Sequence, residues 1–435
     1  MPYLNLKTIN SNQLLSSPSI VSPVSGRQLK SLNFFWIGFM IYTLCSAITQ
    51  TDRLNIKICQ GLQIIGLIFI FTSIFSLIQL KFDNPWLRFI YVLYSAWLLS
   101  VIYRGGSSLG EYSYIKDFFF SPYEGMLYFA PLILLFPRTL IFYKKLFDVI
   151  IYLGICNILF DMVFIKDLLN PDHSNTTSQA MVETFSDLSF SSGFILLTYA
   201  YHTKKRQIIA IGVTMAALLF AIIRARRGLI FMYSTVSFIS YLLYVFHSKL
   251  KFVIIYLTIF IALLGGLYIS GLFKPSDNKL FGFLVDRGDE DTRSLVEIYY
   301  YDDMKFKDWI IGRGTNGKYF APNIEENQVT NFRHTIETGY EQTILKGGFV
   351  SIGLFLLIAL PAIILGVFYS KNILSKVAAI WILLSLVNSY PSTVNAFTLQ
   401  YLLVWISIGI CYSKEIRNMA EGNIKKNFHE LQGIG

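Results

Sequence analysis

The sequence contains few cysteines and few charged residues for its length. Four of its 435 residues are cysteine, and 15% are charged. The four cysteines lie in or beside apolar runs without a C-x-x-C pair, so neither a zinc site nor a disulfide framework is expected. We interpret them as small buried hydrophobic residues.

Several motifs of pumps and enzymes are also absent. The sequence has no Walker loop, no G-x-G-x-x-G after a strand and no H-E-x-x-H. These absences argue against an ATP-driven pump and against an enzyme that draws directly on a cytoplasmic nucleotide-sugar.

Long apolar runs dominate the remaining sequence. Hydrophobic residues make up 54% of the chain, and the mean hydropathy is +0.51, which is not the balance of a soluble protein of this size. We therefore predict an all-α polytopic membrane protein. The excess of 37 Lys and Arg over 27 acids suits a protein that borders anionic lipid, and it is a weak indication of nucleic acid.

About twelve membrane spans are predicted, several of them shorter than the roughly 20 residues that a straight span needs. The runs are 32–48, 58–80, 89–103, 126–137, 146–165, 188–201, 208–223, 228–246, 252–270, 343–370, 377–390 and 398–412. Alternate short connections differ in positive charge. Counted within about 20 residues of the runs, the set that includes both termini has eighteen Lys and Arg, and the other set has eight. Because positive loops stay in the cytoplasm, both termini are predicted to be cytoplasmic.

This topology divides the chain into five segments. Residues 1–31 are expected to be a disordered cytoplasmic tail without a signal peptide, and residues 413–435 a basic cytoplasmic tail. Spans one to nine lie within 32–270, and spans ten to twelve lie within 343–412. The polar interval 271–342 becomes a large periplasmic loop containing short helices.

Three arginines violate this charge rule. Arg224, Arg226 and Arg227 lie together in the tight connection between the seventh and eighth runs, on the predicted outer side. Guanidinium groups bind anions bidentately and keep their charge, so we predict that the cluster holds an anion at the membrane surface. The alternative is that the span count slips here and the arginines are cytoplasmic.

The large loop holds most of the other candidate residues. A short helix is predicted around Arg293, and the glycines of Gly312-Arg313-Gly314 indicate a sharp turn. If the segment before the tenth run is helical, Arg333 and Glu337 share one face at i and i+4, beside His334.

Such a set suits transfer from a lipid-linked diphosphate. Arginines would stabilise the charge that develops on the leaving diphosphate, while His334 or Glu337 would take a proton from the attacking hydroxyl. The chemistry demands no metal and no cofactor. Ordinary surface ion pairing is the alternative for Arg293 and Arg333, and a structural partner of Arg333 is the alternative for Glu337.

A second polar segment, Asp161 to Asp187, lies on the same predicted side. It contains His173, Glu183 and Asp187, and it could line an acceptor groove. We favour a simple loop.

The chain resembles the O-antigen polymerase and O-antigen ligase superfamily of integral membrane C-type glycosyltransferases. Three local segments carry the resemblance: Ala225–Leu229, Thr292–Gly314, and His334–Glu341 followed by Ile344–Phe349. The resemblance implies that Arg227 and Arg293 grip undecaprenyl diphosphate and that His334 lies beside the acceptor hydroxyl. The ligases usually carry an Asn soon after this His, whereas Thr335 follows here, which favours a polymerase.

The resemblance also implies where the protein acts and with what. It implies a polymerase of O-antigen, capsular or exopolysaccharide repeat units in the bacterial inner membrane, with undecaprenyl-diphosphate-linked oligosaccharides as donor and acceptor. A chain-length regulator and a flippase would be further partners. The alternatives are an O-antigen ligase that acts on lipid A core, and a polysaccharide flippase or secondary transporter.

Overall fold

A computed structural model describes residues 25–49, 51, 53–106, 112–170, 176–247, 293–322 and 331–431. These residues are almost entirely helical, which confirms the all-α prediction. The predicted ninth run, 252–270, and the first part of the large loop lie outside these ranges.

The described chain contains helices and one two-residue antiparallel strand pair, β1 with β2. The elements up to residue 247 are α1 (Gly26–Thr49), α2 (Ile56–Leu77), α3 (Pro85–Gly105), α4 (Tyr112–Phe120), a 3₁₀ helix (Gly125–Leu135), α5 (Leu140–Val163), α6 (Ile165–Leu168), α7 (Thr176–Ser189), α8 (Ser192–Leu197), a 3₁₀ helix (Tyr199–Tyr201), α9 (Lys204–Ile223) and α10 (Arg227–His247). The later elements are α11 (Arg293–Asp303), α12 (Phe306–Ile311), β1 (Tyr319–Phe320), β2 (Phe332–Arg333), α13 (Gly339–Phe368), α14 (Ile373–Asn388), α15 (Leu399–Tyr412), α16 (Lys414–Asn418) and α17 (Glu421–Leu431).

Within the described ranges, eight helical segments are long and apolar enough to cross a bilayer, which is compatible with a multi-pass membrane protein. They are Gly26–Thr49, Ile56–Leu77, Pro85–Gly105, Tyr114–Leu135, Leu140–Val163, Lys204–Ile223, Arg227–Phe246 and Gly339–Phe368. Helices α14 and α15 are apolar but shorter. The sixth predicted run, 188–201, is not one helix, because it is divided between the end of α7, α8 and a 3₁₀ turn. The count of twelve spans stays a prediction.

Polar residues at the ends of the apolar runs begin several helices. The side chain of Asn84 accepts a hydrogen bond from the backbone N–H of Leu87, and Pro85 occupies the first turn of α3. Asn372 caps α14 through the N–H of Ser375 in the same way. These caps satisfy N–H groups that have no partner inside the helix.

Helix α15 lies at the centre of the bundle. Every residue from Leu399 to Tyr412 is buried, and the helix packs against α13, α14 and the 3₁₀ helix Gly125–Leu135. A helix that is apolar on all sides is stable only when surrounded. Its first turn is thereby fixed in position, where it reaches the site described below.

The connections between helices form two groups at opposite ends of the bundle. At one end, called the site end below, Arg53 lies 2.9 Å from Asp167, and the N–H of Phe397 donates to the carbonyl of Pro122 at 2.6 Å. At the same end, Arg104 donates to the carbonyl of Gly312 at 2.9 Å. Connections that the charge count places on the outer side therefore contact one another.

Connections of the other group also contact one another. The N–H of Gln79 donates to the carbonyl of Leu135 at 2.9 Å, and the N–H of Lys371 donates to the carbonyl of Arg417 at 2.8 Å. The hydroxyl of Tyr201 donates to Glu421 at 3.0 Å. The structure therefore groups these connections as the charge pattern does, while which end faces the cytoplasm stays a prediction.

Helical structure extends into both predicted tails, while the segment bounds stay predictions. Helix α1 begins at Gly26, inside the predicted tail 1–31, whose residues 1–24 lie outside the described ranges. The predicted basic tail 413–435 contains α16 and α17, which pack on the bundle through the buried side chains of Ile416, Ile424 and Phe428. Apolar residues at helical spacing within this basic segment explain the packing.

Helix α13, which begins at Gly339, is broken at Gly348, which has a φ of 67° and a ψ of −178°. The break frees the carbonyls of Leu345 and Lys346, and these accept the N–H groups of Arg313 and Gly314 at 2.8 Å each. Gly312 and Gly314 have φ values of 70° and 81°. The predicted glycine turn is confirmed, and its N–H groups hold it against α13.

Candidate functional site

A cavity of about 600 Å³ lies at the site end of the bundle. Its walls come from five parts of the chain: the turn after α4, helix α7, the α9–α10 connection, the segment before α13 and the α14–α15 connection. Its charged lining residues are Glu183, Asp187, Arg226, Arg227, Arg333 and Glu337. Side chains that are up to 154 residues apart in sequence thus share one polar space.

The α9–α10 connection presents two arginines to this cavity. Ala225 has a φ of 49°, which is rare for a residue with a β-carbon, and the chain reverses here. Arg226 lies 3.0 Å from Glu183 and donates to Gln179 at 3.0 Å, while Arg227 is exposed. In the alternative, the arginines would belong with the connections at the other end of the bundle. Their contacts with α7, at the site end, disagree with that alternative.

Arg224 does not line the cavity, although the sequence groups it with its neighbours. It is 1% exposed, and its guanidinium donates to the carbonyls of Leu168 at 3.1 Å and Asp167 at 2.7 Å. The structure thus gives Arg224 a role in holding α6 against the end of α9. Its predicted role as a diphosphate ligand has no support in this geometry.

Helix α7 supplies the facing acids. The favoured prediction of a simple loop is wrong for its residues, because Thr176–Ser189 is helical. Glu183 and Asp187 lie on the same face at i and i+4, and both line the cavity. His173, from the same predicted segment, lies outside the described residues.

Asp187 is held differently from Glu183. The hydroxyl of Tyr123 donates to Oδ2 of Asp187 at 2.6 Å. The pKa of Asp187 is raised to about 7. Burial is the main cause, the Tyr123 hydrogen bond opposes the rise, and the nearby charge of Glu183 adds to it. Near neutral pH this carboxyl therefore exchanges a proton readily.

Arg333 and Glu337 enter the cavity from a segment that is not helical. Arg333 belongs to strand β2, opposite Tyr319, and the next helix begins only at Gly339. The conditional prediction of a helix over this segment is therefore wrong. The carbonyls of Ile336 and Glu337 accept a hydrogen bond from Thr393 at 3.2 Å each. This tertiary contact holds the segment before α13 in place.

His334 is separated from these neighbours. It is exposed and does not line the cavity. Desolvation and the charges of Lys318 and Lys346 lower the pKa of His334 to about 4, so its imidazole is neutral at pH 7. The structure thus brings one of the two predicted proton acceptors, Glu337, into the cavity.

Arg293 begins helix α11, as the predicted short helix requires. The position of its side chain lies outside the described part of the structure. Its predicted roles in catalysis and in diphosphate binding therefore stay predictions.

The uncharged polar lining residues were missed from the sequence, among them Tyr123, Gln179 and Gln400. Tyr123 is one of 27 tyrosines, and Gln179 and Gln400 belong to no motif. Gln400 is 6% exposed, and its Nε2 has no hydrogen-bond partner within the described chain. A buried donor of this kind is costly unless something binds it.

The described residues include no group of three or more His, Cys, Asp or Glu side chains arranged to hold a metal ion. Comparisons with family models, with curated proteins and with solved structures found no match to this chain. The functional argument therefore depends on the geometry of the cavity and on the local motifs.

Proposed function

We propose that this protein is an integral membrane glycosyltransferase that joins lipid-diphosphate-linked oligosaccharide repeat units into a polysaccharide. The observation that carries the proposal is the convergence of Arg226, Arg227 and Arg333 on one cavity with three carboxylates. The cavity lies at the end of the bundle that the charge pattern places outside the cytoplasm.

The arginines suit the diphosphate of the donor. A guanidinium group donates two parallel hydrogen bonds to phosphate oxygens and stays charged at any physiological pH. Donors aimed at a leaving group stabilise the charge that develops as the bond breaks. Arg227 is exposed within the cavity wall, so its guanidinium can reach a ligand.

The three arginines supply the positive charge that an anionic ligand needs. They face three acids, of which Glu183 is ion-paired with Arg226. A diphosphate would bind through the guanidinium groups without a metal ion. Leu229 and Met232, which follow the arginines along α10, give the cavity an apolar wall for the first units of a lipid tail.

The reaction follows from these positions. The acceptor hydroxyl attacks the anomeric carbon, the bond from that carbon to the diphosphate oxygen breaks, and the diphosphate leaves with the electron pair. A cavity carboxylate takes the hydroxyl proton. Direct displacement would invert the anomeric centre.

Reconstitution tests the proposal. Purified protein in detergent is incubated with a synthetic undecaprenyl-diphosphate repeat unit, and products are separated by length. We expect a ladder with the wild type and with Arg53→Ala, since Arg53 is at the same end but is not a lining residue. Arg227→Ala and Arg333→Ala should abolish the ladder. A wild-type protein that makes no product longer than the substrate would overturn the proposal.

The same reaction distinguishes the other activities that the sequence leaves open. A ligase would elongate nothing until lipid A core is added, and would then transfer the oligosaccharide to it. A flippase would move the donor across proteoliposome membranes without joining repeat units. A chain-length regulator added as a partner would change the ladder's length distribution without being required for it.

A further inference from the structure

We infer that Asp187 is the general base that accepts the proton of the attacking hydroxyl and that Tyr123 positions it. The inference rests on the proposed function. It follows from a difference between the carboxylates of the cavity, which the sequence does not distinguish.

Glu183 and Asp187 share one face of α7 but have different partners. Glu183 lies 3.0 Å from the guanidinium of Arg226, and this ion pair makes its carboxylate a poor proton acceptor. Within the described ranges, Asp187 forms no ion pair, and its hydrogen bond comes from the phenol of Tyr123. Asp187 is therefore available to a substrate hydroxyl while its neighbour is committed to an arginine.

The hydrogen bond also orients the carboxylate. Tyr123 donates to Oδ2, which leaves Oδ1 to receive a proton. Tyr123 itself is held in place, because the carbonyl of the preceding Pro122 accepts the N–H of Phe397 at 2.6 Å. A fixed carboxylate with one oxygen available is the arrangement that general base catalysis requires.

The proton balance of the step is complete. The acceptor O–H bond breaks as the new glycosidic C–O bond forms, and the proton moves to Oδ1 of Asp187. The bond between the anomeric carbon and the diphosphate breaks, and the arginines hold the departing anion. The proton then leaves to water, which restores the carboxylate for the next cycle.

The other charged and titratable groups of the site come from every wall of the cavity. They are Glu183 on α7, Tyr123 after α4, Arg226 and Arg227 at the α9–α10 connection, and Arg333 and Glu337 before α13. Arginine stays charged through neutral pH, and Glu183 is ion-paired. If Asp187 is the base, the rate falls as its carboxylate becomes protonated near pH 7, and this fall is the acid limb of the pH–rate profile. Substitution of Asp187 therefore shows whether the acid limb belongs to it.

The test compares Asp187→Asn with Glu183→Gln, one turn earlier on the same wall. For Asp187→Asn we expect kcat to fall by about 10²- to 10⁴-fold, with the donor KM changed less than about threefold, and the acid limb to disappear. Asp187→Glu should recover part of kcat. Glu183→Gln should raise the donor KM through Arg226 but keep the acid limb.

Tyr123→Phe gives an independent measurement on a folded protein. Loss of the hydrogen bond should raise the pKa of Asp187 and move the acid limb to higher pH. Thermal unfolding and donor binding are measured for every variant.

Two results would overturn the inference. One is an Asp187→Asn protein that keeps at least a tenth of kcat with its acid limb intact. The other is an acid limb that does not move in Tyr123→Phe, which also decides the case if Asp187→Asn fails to fold. A wild-type protein that makes no polymer would instead reject the proposed function.

Discussion

Replacing Gly348 by alanine tests the close approach of α12 and α13. Its φ of 67° and ψ of −178° are essentially restricted to glycine. A β-carbon here would lie 2.1 Å from the carbonyl oxygen of Ile310 and 2.3 Å from its carbonyl carbon. These are backbone atoms, so they cannot rotate away as a side chain would.

The expected loss of stability can be worked from these two effects. Backbone strain of this kind costs about 1–3 kcal/mol, and forcing packed atoms apart costs about 1–3 kcal/mol more. We therefore expect the free energy of unfolding to fall by roughly 2–6 kcal/mol. Gly353 is the matched control, because it lies in the same helix and a β-carbon there would meet nothing within 4 Å.

Both variants are compared with the wild type by thermal and denaturant unfolding in one detergent. Gly348→Ala should unfold at a clearly lower temperature. Gly353→Ala should be neutral or stabilising by up to about 1 kcal/mol, because alanine favours the helix. Equal unfolding temperatures for Gly348→Ala and the wild type would refute the reasoning.

Three further substitutions separate structural from functional roles. Arg224→Met should lower the unfolding temperature, because it leaves the Leu168 carbonyl without its Arg224 donor, at about 1–3 kcal/mol, and removes one donor from the Asp167 carbonyl; an unchanged temperature would contradict this. Arg227→Ala should abolish polymer formation while the protein still unfolds cooperatively, and retained polymer would count against its role. His334→Gln should leave the rate profile unchanged between pH 6 and pH 8, since lowering the pKa to about 4 keeps the imidazole neutral there. A difference centred near pH 6.5 would show that the histidine titrates in that range.

Much of the fold was predictable because its signals are local. Long apolar runs predict helices because a bilayer offers no hydrogen-bond partners to backbone N–H and C=O groups. In a helix these groups bond to one another. The positive-charge count divided the connections between helices into two sets. In the structure, the connections of each set contact one another. The turn at Gly312 was also predictable, since a φ of 70° strongly favours glycine.

The candidate site was predictable only in part. The sequence marked Arg226, Arg227, Arg333 and Glu337 by their charge in a membrane setting, and the structure places all four at one cavity. It did not mark Tyr123, because a tyrosine near a span end is ordinary in a membrane protein.

The sequence by itself determined the helical character of the chain, the grouping of its connections and the supply of arginines at one end. The tertiary structure decided which of those side chains face a common space. Arg224 and Arg226 are two residues apart, yet one binds carbonyls 56 residues away and the other binds a glutamate. Such differences depend on packing between distant segments, because hydrogen-bond partners are set by distances of a few ångströms that no local pattern encodes.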